Sequence, residues 1–198
     1  MFISNGLGWK LVMSSKNRIV FIGDSIVQEM PIRQITPDGE NYGIAGDTTK
    51  GVIDRLDTIS ILNKAYAIVI HTGINDFWFY GKDKIVDYYK ILLDIIPKNT
   101  TTVINSILPI DEDYESLPYN HQIDETNKRI EELCQNHQHL HYCDSNSRMK
   151  NSAGYLDRDF HIGDGLHLSE LGYLMLIQSI ASKLKQILPS GCNINIPQ

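Results

Sequence analysis

The chain has 198 residues, of which 42% are hydrophobic and 21% are charged, a composition typical of a folded globular protein. Its 24 acidic residues outnumber its 18 Lys and Arg residues, and no basic stripe could follow a phosphate backbone, so we expect no nucleic-acid partner. This length suits one domain with a full hydrophobic core, because two domains would both be small.

Three cysteines without metal-type spacing argue against a disulfide framework or a structural zinc site. No apolar run approaches the roughly 18 residues that a membrane-spanning helix needs. The opening segment is too polar for a secretory signal. Together these features lead us to expect a cytoplasmic protein with no membrane span and no bound metal. Met13 is an alternative start, which would make residues 1–12 an upstream extension.

Strand-like and helix-like segments alternate along the chain. The strand-like runs are apolar and β-branched, as in strands covered on both faces. They are RIVFIGDS (18–25), ENYGIAG (40–46), YAIVIHTG (66–73), TTVINSILPI with the preceding Thr100 (100–110) and LHYCDS (140–145). The helical patterns cover 48–62, 83–96, 120–136 and 169–188, with a short one after Ser25. This alternation predicts an α/β protein, a three-layer α/β/α sandwich around a parallel sheet.

The last helix has the clearest limits. Ser169 can cap its first turn, an apolar stripe follows, and Pro189 ends it. We therefore expect one domain over 18–188, an N-terminal extension over 1–17, and a peripheral C-terminal tail over 189–198.

Ligands of doubly wound sheets bind at the carboxyl ends of the strands. Ser25 follows the first strand, Gly46 the second and Asn75 the third, while Asp164 and His167 precede the last helix. The topology therefore predicts that these five residues meet at one edge of the sheet.

Each candidate also has a structural interpretation. Ser25, at a strand-to-helix turn, is either a nucleophile or a plain helix cap. Gly46 either offers its N–H to a ligand or simply makes a turn. The side-chain amide of Asn75 can stabilise an oxyanion, although a turn role is common for such an Asn, with Asp76 capping locally.

Among the seven histidines, His167 is the preferred general base. Asp164 lies three positions before it, where a carboxylate can orient an imidazole. His161 is the rival base because it lies close by in sequence. His71, inside an apolar strand, is expected to be a core histidine, and HQHLH (137–141) to mark the surface entry of a strand.

Four sequence blocks together resemble the SGNH, or GDSL-type, hydrolase family. They occur in the family's order over nearly the whole chain: Gly23-Asp24-Ser25, GIAGDTT around Gly46, Gly73-Ile74-Asn75-Asp76, and Asp164-Gly165-Leu166-His167. The GDTT and DGLHLSELGY runs are most similar to the branch that contains the platelet-activating-factor acetylhydrolase catalytic subunits and related bacterial acyl esterases.

The resemblance implies a flavodoxin-like, five-stranded parallel sheet in the order 2-1-3-4-5 and ester hydrolysis without a metal or cofactor. Ser25 would be the nucleophile, His167 the base and Asp164 its orienting carboxylate. The N–H groups of Ser25 and Gly46, with the side chain of Asn75, would form the oxyanion hole.

The substrate is less defined than the reaction. We expect a small-molecule acyl ester with a short acyl chain. The alternatives are a lysophospholipase, a thioesterase or an acyltransferase on the same scaffold, and a non-catalytic flavodoxin-like binding module. The aromatic run 77–80 after Asn75 could line a substrate wall or cover the core. A homodimer is compatible with the sequence.

Overall fold

The computed structural model describes residues 2–4, 9–11, 18–113 and 119–198. A short antiparallel hairpin, β1 (Phe2–Ser4) and β2 (Trp9–Leu11), lies in the predicted N-terminal extension. Met13, the alternative start, lies outside the described residues.

Five parallel strands form the central sheet. They are β3 (Ile19–Gly23), β4 (Gly39–Gly43), β5 (Ala67–His71), β6 (Thr101–Asn105) and β7 (Leu140–Cys143). Their order, β4-β3-β5-β6-β7, is the predicted 2-1-3-4-5 arrangement. Each strand is shorter than its predicted run, because the last residues of the run belong to the loops at the carboxyl edge.

Five α-helices connect and flank these strands. They are α1 (Ser25–Gln28), α2 (Thr49–Arg55), α3 (Lys82–Ile95), α4 (Asn120–Gln135) and α5 (Glu170–Ile187). The Ser169 hydroxyl caps α5 as predicted, accepting the Gly172 N–H at 3.1 Å. None of the helices in the described part of the chain is long and apolar enough to cross a membrane.

The predicted helix over 48–62 is shorter in the structure. It ends at Arg55, and two 3₁₀ turns follow, over 56–58 and 62–64. The Thr58 hydroxyl donates to the Arg55 carbonyl at 2.7 Å. Such a side-chain hydrogen bond competes with helix propagation.

Alternate residues along β3 and β5 enter two separate cores, one on each face of the sheet. Phe21 and Val69 lie in the core covered by α1 and α5. Their neighbours Ile22 and Ile70 lie in the core covered by α2, α3 and α4. Since successive side chains of a strand point to opposite faces, this pattern gives the three-layer sandwich that the sequence predicts.

The C-terminal tail over 189–198 is mostly exposed but is anchored to the domain through Ile194 and Asn195. Ile194 is only 6% exposed and belongs to the core under α5. The Asn195 N–H donates to the Ile35 carbonyl at 2.8 Å. The tail contains Ile194 and Ile196, and its sequence does not indicate which of the two is buried.

Candidate active site

The turn between β3 and α1 places Ser25 at the carboxyl edge of the sheet. Asp24 caps α1 through Oδ1, which accepts the Ile26 N–H at 3.0 Å. The residue before Asp24 must be a glycine, because a Cβ at Gly23 would lie 1.8 Å from the His71 carbonyl oxygen on the neighbouring strand. Ser25 is half-buried, and no hydrogen bond within the described ranges uses its backbone N–H. The hydroxyl and the N–H of one residue are therefore both available to a ligand.

His167 lies beside this serine and is held by Asp164. Its Nε2 is 3.4 Å from the Ser25 Oγ, and its Nδ1 is 2.7 Å from Asp164 Oδ2. The other carboxylate oxygen, Oδ1, accepts the backbone N–H groups of Leu166 at 3.0 Å and His167 at 2.9 Å. In this arrangement Nδ1 carries the proton, and Nε2 can accept one from the serine hydroxyl.

The same contacts determine the charge of Asp164. Partial burial acts to raise the pKa of this carboxyl, but the hydrogen bonds from Leu166 and His167 outweigh that effect and lower the pKa below its usual value. Asp164 is therefore a carboxylate at neutral pH and accepts the hydrogen bond of the His167 ring at Nδ1.

His161, the rival base, does not take this position. Its Nδ1 accepts the backbone N–H groups of Gly163 and Gly165, at 3.0 and 3.1 Å. Its Nε2 lies 3.4 Å from the carboxylate of Asp111. The structure thus places His167, and not His161, next to the Ser25 hydroxyl.

Gly46 and Asn75 lie on the next two loops of the same edge. Gly46 has φ of +75°, which L side chains rarely adopt, and its N–H makes no hydrogen bond to any described residue. Asn75 begins the 3₁₀ turn after β5, and its Nδ2 donates to the Asp47 carbonyl at 2.9 Å. One amide hydrogen of Asn75 remains to donate to a ligand.

Side-chain hydrogen bonds from α1 and α2 also hold the loop that carries Gly46. The Ala45 N–H donates to Gln28 Oε1 on α1 at 2.8 Å. Arg55 donates from Nε to Asp47 Oδ2 at 2.7 Å and from Nη2 to the last carbonyl of β3 at 3.1 Å. These contacts join the candidate oxyanion loop to the nucleophile strand. No pattern in the sequence indicates this role of Arg55.

The sequence suggested that Asp76 caps its own turn. In the structure its side chain instead contacts Thr49 at the start of α2. Its Oδ2 accepts the backbone N–H and the hydroxyl of Thr49, at 2.7 and 3.2 Å. Burial raises the pKa of Asp76 to about 6, although the Thr49 hydrogen bonds lower it in part. Burial likewise raises the pKa of Asp24, and together with the charges of Asp76 and Asp47 it brings this pKa to about 7, although the hydrogen bond from Ile26 lowers it in part. Two buried acids thus lie behind the catalytic edge.

Other candidates from the sequence have structural roles. His71 is buried, burial lowers its pKa to about 4, and its Nδ1 lies 3.1 Å from Asn105 Nδ2, as expected for a core histidine. Across the described residues no group of three or more His, Cys, Asp or Glu side chains could hold a metal ion.

The aromatic run after Asn75 divides into two pairs. Phe77 and Tyr80 pack against the core under α2, α3 and α4. Trp78 and Phe79 are exposed beside the same loop. The exposed pair therefore offers the larger aromatic surface to a substrate.

Comparison with known proteins gives consistent relationships. Residues 21–175 match the GDSL-like lipase/acylhydrolase family. The platelet-activating factor acetylhydrolase IB subunit alpha1 of Bos taurus is 26% identical over 196 residues, which cover 90% of this chain and 81% of that protein. The solved lipase/acylhydrolase from Enterococcus faecalis has a TM-score of 0.75 and 21% identity, covering 92% of this chain and 99% of its own. An acetylxylan esterase from Geobacillus stearothermophilus has a TM-score of 0.68 and 17% identity, covering 85% and 94%.

The fold and the family define an ester hydrolase, so the alternative of a non-catalytic binding module is not supported. The chain belongs to the GDSL-like lipase/acylhydrolase family, whose model matches most of its length. The family that the four sequence blocks resemble is thereby confirmed.

Proposed function

We propose that this protein hydrolyses short-chain acyl esters through an acyl-enzyme formed on Ser25. The observation that carries the proposal is the line of contacts from Asp164 through His167 to the serine hydroxyl, at 2.7 and 3.4 Å. The second distance is long for a hydrogen bond, as is common in a serine site without substrate, and shortens when a substrate aligns the hydroxyl.

The chemistry follows from the positions of these groups. His167 Nε2 takes the Ser25 proton while Oγ attacks the carbonyl carbon of the ester. The carbonyl oxygen becomes an oxyanion that accepts hydrogen bonds from the N–H groups of Ser25 and Gly46 and from Asn75. The intermediate collapses, and His167 gives its proton to the leaving alcohol. A water molecule activated by the same imidazole then releases the acid and restores the serine.

The openness of the site favours short acyl chains. The side chains of His167 and Asp164 are 44% and 41% exposed. Burying one methylene group is worth about 0.8 kcal/mol, so a long chain gains affinity only where an enclosed apolar channel receives it. A site this accessible buries few carbons beyond the carbonyl. The Bos taurus relative is an acetylhydrolase by name, which supports acetyl as the first acyl group to test.

The test is a series of p-nitrophenyl esters from acetate to decanoate, with Ser25→Ala as the matched control. We expect kcat/KM to be highest for the shortest acyl groups and to fall with chain length. A fluorophosphonate probe should label Ser25, as site mapping by mass spectrometry would show. Failure of the probe to label Ser25 in an active preparation would contradict the serine mechanism, and an optimum at decanoate would contradict the short-chain preference.

Three additions to this assay separate the alternatives. Lysophospholipid and thioester substrates test the lysophospholipase and thioesterase activities. Alcohol acceptors added to the acetate assay test acyl transfer, which would yield a new ester in place of free acetate. EDTA should leave the rate unchanged, and a loss restored by zinc or manganese would contradict a metal-independent mechanism.

We also propose that residues 18–188 form the catalytic domain, with 1–17 as an extension and 189–198 as a tail packed on the domain. A variant that begins at Arg18 should keep its esterase activity, and loss of activity in a folded variant would contradict these limits. Light scattering tests the proposed homodimer. Cell fractionation tests the proposed cytoplasmic location.

A further inference from the structure

A second histidine–carboxylate pair lies next to the candidate triad. His161 and Asp111 face each other with 3.4 Å between Nε2 and Oδ2, and each side chain is only 4% exposed. On its other side the imidazole Nδ1 accepts the N–H groups of Gly163 and Gly165, at 3.0 and 3.1 Å. The two glycines flank Asp164, so both sides of the triad carboxylate are attached to one buried ring.

These contacts define the state of the ring. A neutral imidazole has one donor and one acceptor nitrogen. Because Nδ1 faces two N–H donors, it must be the acceptor, which leaves the proton of His161 on Nε2. The Asp111 carboxylate lies 3.4 Å from Nε2, and its negative charge favours a proton on that nitrogen. A proton on Nδ1 would repel both glycine N–H groups and break the two hydrogen bonds that hold the loop.

The pair also connects the loop to the sheet. Asp111 follows β6 in the chain, and its own N–H donates to the Gly165 carbonyl at 2.9 Å. Arg158 lies near the same carboxylate, with 3.7 Å between Nε and Oδ2. Gly163 and Gly165 both have positive φ, +100° and +76°. Asp111 and His161 thus hold the loop that carries Asp164, and neither residue belongs to the candidate triad.

We propose that His161, oriented by Asp111, is a positioning residue whose Nδ1 fixes the loop over 163–167 and so aligns Asp164 and His167 with Ser25. The proposal rests on the ester hydrolysis proposed above. It assigns the rival histidine a role in catalysis as a hydrogen-bond acceptor for the backbone and not as a base. The effect should appear in the catalytic step, because a displacement of about 1 Å at a catalytic group can lower the rate about 10²-fold.

The matched variants are His161→Asn and His161→Gln. The shorter amide of Asn places its oxygen near the position of Nδ1 and keeps an acceptor for the two glycine N–H groups. The amide of Gln extends toward the position of Nε2 and leaves them without one. We expect His161→Asn to keep kcat within about 10-fold of wild type and His161→Gln to lose about 10²–10³-fold, with KM changed less than about threefold in both.

Equal activity of the two variants, or a change in KM alone, would overturn the acceptor role. A purely structural role would lower the unfolding temperature of both variants without separating their kcat values. If neither variant folds, long-range ¹H–¹⁵N spectra of the wild-type imidazoles decide the question. We expect His161 to carry its proton on Nε2 at about pH 8, and a proton on Nδ1 would overturn the proposal. This measurement needs no turnover, so its result is independent of whether the proposed ester hydrolysis holds.

Discussion

Asp164 holds His167 twice, through Oδ2 to the ring Nδ1 at 2.7 Å and through Oδ1 to the backbone N–H at 2.9 Å. The first contact determines the tautomer of the imidazole, and the second determines the shape of the loop that carries it. A substitution by Asn can separate the two contacts. The amide oxygen accepts hydrogen bonds as one carboxylate oxygen does, whereas the amide nitrogen is a donor and cannot replace the other oxygen.

Asp164→Asn should keep the shape of the loop and lose the His167 tautomer that carries its proton on Nδ1. The amide oxygen can still accept the N–H groups of Leu166 and His167. The amide nitrogen then faces Nδ1 as a donor, which moves the ring proton to Nε2 and removes the acceptor for Ser25. We expect kcat to fall on the order of 10²–10⁴ with little change in unfolding temperature. A large loss of stability at unchanged kcat would show that Asp164 serves the loop alone.

Ser25 and His167 should behave as one unit. Ser25→Ala removes the nucleophile, and His167→Ala removes the base that activates it, so either change alone disables acyl-enzyme formation. Each single variant should lose on the order of 10⁴–10⁶ in kcat, and the double variant little more. The measurement is steady-state hydrolysis of p-nitrophenyl acetate, with active-site titration to exclude residual wild type. Losses that multiply in the double variant would mean that the two residues act separately.

Asn75→Ala should lose roughly 10²–10³ in kcat with a smaller change in KM, because an oxyanion donor acts mainly in the transition state. The same side chain holds the Asp47 carbonyl at 2.9 Å, so its removal also frees the loop that carries Gly46. Asn136→Ala, at an exposed asparagine that ends α4, is the matched control and should be fully active. If Asn75→Ala is folded and equally active, Asn75 is only a turn residue.

The sequence predicts the sheet and the triad because both depend on local patterns. The apolar runs determine the strands, Ser25 follows the carboxyl end of β3, and the loop before α5 brings His167 to the same edge. The supporting contacts were not predictable in the same way. Arg55 reaches Asp47 and the end of β3, and Asp76 reaches Thr49 across 27 positions of the chain. Such contacts depend on the packing of α2 against the sheet and leave no periodic signal.

The C-terminal tail provides a test of packing with its own control. Ile194 is 6% exposed, and Ile196 is 43% exposed two residues later. Ile194→Ala should lower the free energy of unfolding by about 2 kcal/mol, because it leaves a cavity in the core under α5. Ile196→Ala should change it by less than about 0.5 kcal/mol. Urea denaturation of both variants measures the difference, and equal values would mean that the tail does not stabilise the domain.

The buried Asp24, next to Ser25, should give the protein an unusual pH dependence of stability. Burial raises its pKa from 3.8 to about 7, so between these values the folded state binds more protons than the unfolded state. The stability that Asp24 contributes is therefore complete below about pH 4 and is lost as the pH rises toward 7. A shift of this size corresponds to a change on the order of 4 kcal/mol across that window, since each pKa unit is worth about 1.4 kcal/mol.

Asp24→Asn removes this titration and keeps the cap, because the amide oxygen can still accept the Ile26 N–H. We expect the variant to gain stability relative to wild type as the pH rises from about 4 to 7, and to lose that relative gain in acid. Urea denaturation at a series of pH values measures the difference between the two proteins, which cancels the contribution of other groups. Asp57→Asn, at an exposed carboxylate, should follow the wild-type curve within about 0.5 kcal/mol. Parallel curves for wild type and Asp24→Asn would show that Asp24 stays ionised in the folded protein, and the assignment of a buried, protonated acid behind Ser25 would be wrong.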